Sequence, residues 1–143
     1  MLTKPKPVEP VVLLIDDNDI DNFINERMVK GCNYSDVVYI NTSTRSALEF
    51  LKNLTVNPAV TPAMYPTVIF LDINMPILDG FQFLAELEKF DYDFVKNLKV
   101  IMLTSSINPA DQEKAMRSKL VRGFLHKPLT QEALNSIAKT ATV

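Results

Sequence analysis

The residues of this chain whose types suit chemistry lie far apart in sequence but share one setting. Asp16 with Asp17, then Asp72, Thr104 and Lys127, sit where short apolar runs end: Val11-Val12-Leu13-Leu14-Ile15, Val68-Ile69-Phe70-Leu71, Val100-Ile101-Met102-Leu103 and Phe124-Leu125. Three carboxylates held close together repel one another, and a divalent cation relieves the repulsion. Mg2+ prefers octahedral oxygen coordination and keeps several waters, so one or two carboxylates plus a phosphate oxygen suit it. A hydroxyl and an ammonium complete a set able to neutralise the oxygens of a phosphoryl group. Each residue also has a plainer reading by itself. Asp16-Asp17 fits an acidic pair at a helix N-terminus, Lys127 a solvated charge, and Thr104 a strand-end cap. The chemistry depends on whether one fold brings all of them to one place.

Apolar runs of four to six residues, rich in Val and Ile and alternating with helical stretches, read as buried parallel strands. A parallel sheet collects the carboxyl ends of its strands on one edge, where such folds bind ligands. Strands are expected at about 11–15, 37–40, 67–71, 99–103 and 121–125. Asp19 is placed to cap a helix over about 20–30, with Ile20, Phe23, Ile24, Arg27 and Met28 at helical spacing and Gly31 as its stop. Thr42 or Ser43 caps a second helix carrying Ala47, Leu48, Leu51 and Leu54, and Phe81, Phe83, Leu84 and Leu87 start a third. Asn108-Pro109 opens a fourth helix through about 118. Thr130 caps the last, with Leu134 and Ile137 facing inward. Residues 1–10, with three prolines and two lysines, read as a flexible arm. Three prolines between positions 56 and 66 argue for a loop without regular structure. Asp91–Phe94 reads as a loop or short turn. Five strand–helix repeats with right-handed crossovers make an α/β, three-layer, doubly wound sheet spanning 11–143.

Composition narrows the function. The 143 residues match one ordinary domain, and 47% apolar content is enough for a real core. A formal charge of −2, from 15 basic and 17 acidic residues, argues against a nucleic-acid binder working through a broad basic surface. No apolar run is long enough to span a membrane, and Met1–Pro7 lacks a signal-peptide core. One cysteine, Cys32, excludes an internal disulfide framework and fits a reducing cytoplasm, where it reads as a small inert apolar residue. With three glycines in the chain, and no Gly-rich turn after the first strand, backbone cradles for dinucleotides or nucleoside triphosphates are not expected.

Four motifs in order resemble the receiver domain of two-component response regulators over about 11–140. They are Leu14-Ile15-Asp16-Asp17, Leu71-Asp72-Ile73-Asn74-Met75-Pro76-Ile77-Leu78-Asp79-Gly80, Leu103-Thr104-Ser105 and Phe124-Leu125-His126-Lys127-Pro128. The resemblance implies a flavodoxin-like (βα)5 fold with strand order 2-1-3-4-5, and a phosphorelay switch rather than an enzyme acting on other substrates. Its phosphoacceptor would be Asp72, its cofactor Mg2+, and its donor a sensor histidine kinase or His-phosphotransfer protein. Asp17 and Asp72 are then direct metal ligands, Asp16 acts through a metal-bound water, and the backbone carbonyl of Asn74 adds an oxygen. Lys127 and Thr104 meet phosphoryl oxygens, with help from the Ser105 N–H. Pro76 and Gly80 shape the loop after Asp72, and Lys127-Pro128 is a candidate cis peptide.

The resemblance further implies that Thr104 swings toward the phosphoryl group while Phe124 turns inward, re-posing the surface of the fourth helix, fifth strand and last helix for a downstream protein. The same face would serve a homodimer, which no residue compels. Phe at position 124, where Tyr is usual, removes a hydroxyl from that switch. Ser106 and Asn74 fall where such domains tune the lifetime of the phosphoryl group, and small polar residues there imply neither extreme. His126, the single histidine, reads as a partly buried strand residue, and Met28, Met102 and Met116 as core filler. The length and the initial Met1 favour a stand-alone receiver, with an excised piece of a larger regulator as the alternative. A Mg2+-dependent aspartyl-phosphate phosphohydrolase is a second reading, but Asn74 stands where its general acid would be. A flavin-binding domain is a third, opposed by two aspartates where a phosphate loop would sit.

Overall fold

The computed structural model describes residues 6–73, 79–105 and 108–141, so the expectations for Asn74, Pro76 and Ser106 lie outside the described residues. In chain order the elements are β1 Val12–Ile15, α1 Asp19–Gly31, β2 Val38–Asn41, α2 Thr44–Val56, a one-turn 3-10 helix at Pro62–Met64, β3 Val68–Asp72, α3 Gly80–Leu87, α4 Tyr92–Val95, β4 Lys99–Thr104, α5 Pro109–Met116, β5 Val121–His126 and α6 Gln131–Ala141. The strands form one five-stranded parallel sheet in the order β2-β1-β3-β4-β5, as expected. The extra turn α4 makes the fourth helix of the sequence reading α5, and its last helix α6.

The alternation of each strand divides the core into two layers. Leu13, Ile15, Ile69, Leu71, Val100 and Met102 face a cluster supplied by α2, α3, α4 and α5, including Leu51, Phe83, Leu87 and Phe94. Val12, Leu14, Val68, Phe70, Ile101 and Leu103 face the other side, against Val29 of α1 and Leu134 and Ile137 of α6. With both faces covered, β1 and β3 are buried at every residue, which is why their sequences are continuous apolar runs rather than alternating ones.

Several local expectations change. Asn18, not Asp19, caps α1: its side chain accepts from the backbone N–H groups of Ile20 and Asp21 at 2.9 and 3.0 Å. The apolar stripe of α1 points outward, with Ile20 70% and Phe23 58% exposed, while Asn22, Asn25 and Val29 are buried. The 56–66 segment is mostly loop, as expected, but holds one 3-10 turn at Pro62–Met64. Pro62 sits at the first position of that turn, where its missing N–H costs no hydrogen bond. Asp91–Phe94, expected as a loop or short turn, starts a four-residue helical turn with Asp91 at its N-cap, whose Phe94 ring packs edge-on to Tyr65 at 5.6 Å. Met102 is fully buried, but Met116 is 51% exposed and fills no core. Ser43, Asn108 and Thr130 cap their helices as expected. Within the expected arm, the Glu9 N–H donates to the Tyr34 carbonyl at 2.8 Å, and the Glu9 carboxylate meets Lys99 Nζ at 3.0 Å.

Candidate functional site

The carboxyl ends of β1, β3, β4 and β5 bring Asp16-Asp17, Asp72, Thr104 and Lys127 to one edge of the sheet. Register fixes the depth: Ile15 pairs with Leu71, Asp72 with Leu103, and Thr104 with His126. One carboxylate oxygen from each of Asp16, Asp17 and Asp72 lies within 4.8 Å of the other two. Asp16 and Asp72 are buried, and Asp17 is open to solvent. Lys127 reaches in with its Nζ 2.5 Å from Asp16 Oδ2, 3.1 Å from Asp21 Oδ2 and 3.5 Å from Asp72 Oδ2. Burial works to lower the pKa of this ammonium, but its contacts with Asp16, Asp72 and Asp21 outweigh that and hold it above the ordinary lysine value. Lys127 therefore stays charged at neutral pH.

One ammonium faces four carboxylates here, two of them buried. That imbalance is the physical case for a cation: the group can hold a metal ion, and a set of oxygen donors with one member open to water suits Mg2+, which keeps part of its hydration shell. Lys127 alone offsets only part of the repulsion.

The supporting contacts are polar. The Asn18 N–H donates to Asp16 Oδ1 at 2.9 Å, and Asn22 Nδ2 donates to the Asp16 carbonyl at 2.8 Å. The Lys127 N–H donates to the Thr104 carbonyl at 2.7 Å, which ties the β5 end to the β4 end. The Leu129 N–H donates to Asn25 Oδ1 at 3.1 Å, which fixes the loop after Lys127 to α1. The Lys127-Pro128 peptide is cis, as expected.

Thr104 is 1% exposed at the end of β4. Phe124 pairs with Met102 from the edge strand β5, half-buried against the α2–α5 layer. His126 is exposed, not partly buried, because β5 is an edge strand; its Nδ1 lies 2.6 Å from the Lys127 carbonyl. Sequence reasoning missed Asp21, Asn22 and Asn25. Asp21 carried a usable signal, as an acid in the first turn of a helix already expected to start beside the site.

Gly80 lies directly behind Asp72. A Cβ there would come 3.0 Å from the Asp72 carbonyl oxygen and 3.1 Å from Ile73 Cα, both backbone atoms that have little freedom to move aside. Gly80→Ala is therefore expected to destabilise the chain by about 1–3 kcal/mol, as overpacking does elsewhere. A urea midpoint equal to that of the wild type would show that the turn yields freely.

Comparison with known proteins agrees with this geometry. The response regulator receiver domain family matches residues 12–139. The sensor histidine kinase CheAY of Helicobacter pylori is 30% identical over 137 residues; the match covers 96% of this chain but only 15% of that protein's length. Among solved structures, a two-component response regulator from Cytophaga hutchinsonii superposes with a TM-score of 0.84 at 31% identity, covering 96% of this chain and 98% of its own. A two-component response regulator from Legionella pneumophila superposes with a TM-score of 0.73 at 27% identity, covering 94% and 98%. With the family matched across nearly all of the chain and the acidic edge in place, this protein belongs to the response regulator receiver domains of two-component signalling.

Proposed function

We propose that this domain is a phosphorylatable switch whose phosphoacceptor is Asp72. The observation that carries the reading is the meeting of Asp16, Asp17, Asp72 and Lys127 at one sheet edge, with three carboxylates within 4.8 Å of one another. A carboxylate oxygen of Asp72 attacks the phosphorus of a phosphohistidine on a histidine kinase or His-phosphotransfer protein. The new O–P bond forms as the P–N bond breaks, and the imidazole leaves with that electron pair and takes up a proton. Lys127, already 3.5 Å from Asp72, neutralises a phosphoryl oxygen, and the Thr104 hydroxyl donates to another. Asp17 and Asp72, with Asp16 beside them, would hold Mg2+, which when bound would supply charge neutralisation for the phosphoryl group.

Phosphorylation adds roughly −1.5 to −2 charges at this point. Thr104 and Phe124 then carry the change to the face of α5, β5 and α6, which selects a downstream protein or a second copy of the chain. The partners are proteins rather than nucleic acid or membrane. No described helix is long and apolar enough to cross a membrane, and the proposed setting is the cytoplasm.

Intact-mass measurement after incubation with phosphoramidate or acetyl phosphate and Mg2+ tests the assignment. One hydroxylamine-labile phosphoryl adduct is expected on the wild type, and none on Asp72→Asn or in EDTA. An adduct that persists on Asp72→Asn would move the acceptor elsewhere.

A further inference from the structure

A second site lies at the opposite end of the sheet. The end of α3, the turn α4, the start of β4 and the turn from α5 into β5 line a half-open cleft of about 690 Å3. That volume falls within the roughly 300–1,000 Å3 range of small-molecule pockets. Its lining combines two chemistries. Leu98 and Leu120 are buried, giving an apolar floor, and the Tyr92 ring stands at the wall, 75% exposed. Around them stand four cations, Lys96, Arg117, Lys119 and Arg122, against one acid, Glu88.

The charge is out of character for this chain. The protein carries −2 overall, yet this lining sums to +3 from four cations and one carboxylate. The Lys119 and Arg122 side chains make no ion pair or hydrogen bond among the described residues. Lys96 and Arg117 are engaged only at the surface, at 3.5 Å with Asp93 and 3.6 Å with Glu113, contacts that solvent screening leaves weak and exchangeable. Glu88 is itself occupied, accepting from Ser118 Oγ at 2.8 Å.

We propose that this cavity binds a nucleotide. An exposed aromatic ring beside an apolar floor receives a planar base, and a guanidinium with neighbouring ammonium groups receives its phosphates. An acidic peptide would use the cations but leave the ring and floor without a partner, so the combination favours the nucleotide. The site is independent of phosphoryl transfer: β4 runs from Lys99 at this end to Thr104 at the other, a separation of roughly 17 Å at strand rise.

Binding of ADP, followed by titration calorimetry in EDTA, tests the assignment. The full chain carrying Asp72→Asn serves as host, so that metal-dependent binding at the acidic edge is silent. Saturable binding of ADP is expected, weakened at least tenfold by Lys119→Ala with Arg122→Ala. Tyr92→Ala is expected to weaken ADP several-fold and leave inorganic pyrophosphate unaffected. All three positions are exposed, and matching thermal unfolding curves would show that the variants fold. Absence of saturable ADP binding at millimolar concentration, equal binding by the charge variant, or displacement of ADP by a polyglutamate peptide with no dependence on Tyr92 would each overturn the proposal.

Discussion

Lys127→Ala is expected to lose both stability and phosphoryl uptake. Removing one partner of a buried ion pair typically costs 3–5 kcal/mol, and because the mouth of this site is open at Asp17, a loss of roughly 2–4 kcal/mol is expected in Mg2+-free buffer. The ammonium is nearly buried and touches Asp16, Asp21 and Asp72, so its loss leaves Asp16 and Asp72 facing each other uncompensated. Added Mg2+ is expected to restore part of the stability but not the uptake, since the cation relieves repulsion without replacing the lysine at the phosphoryl oxygen. Lys127→Arg keeps the charge and is expected to recover more stability than activity, because a planar guanidinium cannot take the place of a compact ammonium. The pH dependence follows from the raised pKa. The stabilising contribution of Lys127 is complete below its unfolded value of 10.5 and is lost as pH climbs through the higher folded value; the alanine variant lacks that alkaline loss. Urea midpoints for the three proteins, with and without Mg2+, give the answer. Equal midpoints in EDTA would mean that the carboxylates do not rely on this lysine.

Phe70→Ala is expected to cost about 3–5 kcal/mol, the usual range for emptying a buried aromatic site. Phe70 is 1% exposed on β3, the central strand, and its ring lies 6.0 Å from that of Tyr34, which is itself buried. Against a total stability of 5–15 kcal/mol for ordinary domains, that loss is large. Phe70→Leu fills most of the volume and is expected to cost clearly less, so the pair separates packing from general disturbance. Thermal unfolding of both variants is the measurement. An alanine variant within 1 kcal/mol of the wild type would show that the layer collapses around the gap, at the low end of the cavity cost.

What the sequence discloses and what it hides follow one physical line. The strands and the acidic edge were legible because residues buried on both faces of a parallel sheet leave continuous apolar runs, and the chemistry sits where those runs stop. Cap chemistry was equally readable at Ser43, Asn108 and Thr130, since a short polar side chain before an apolar stretch has one common use. The inward face of α1 was not readable. Periodicity assigns the apolar stripe to the core, yet here the core side carries Asn22 and Asn25, whose amides meet backbone groups of the loop just before the helix and of the loop after β5, the second of them remote in sequence. Nothing local announces such partners. Met116 misled for the opposite reason: an apolar residue at the end of a short helix need not be covered. The cationic cavity was also invisible, because Lys96, Arg117, Lys119 and Arg122 come together only after α4 and the α5–β5 turn fold beside one another.

The two amides of α1 also set how freely this helix can vary. Asn22 and Asn25 are pinned by directional bonds to the Asp16 carbonyl and the Leu129 N–H, so a replacement must reproduce a donor at one position and an acceptor at the other, and few side chains do so. Across the helix, Ile20 and Phe23 lie mostly in solvent and hold nothing inside together. Mutational freedom at these four positions of α1 is therefore the reverse of that in the usual amphipathic helix. Asn22 and Asn25 are constrained along with the core residue Val29, while Ile20 and Phe23 are where sequence can drift without moving the two loops that carry Asp16 and Lys127.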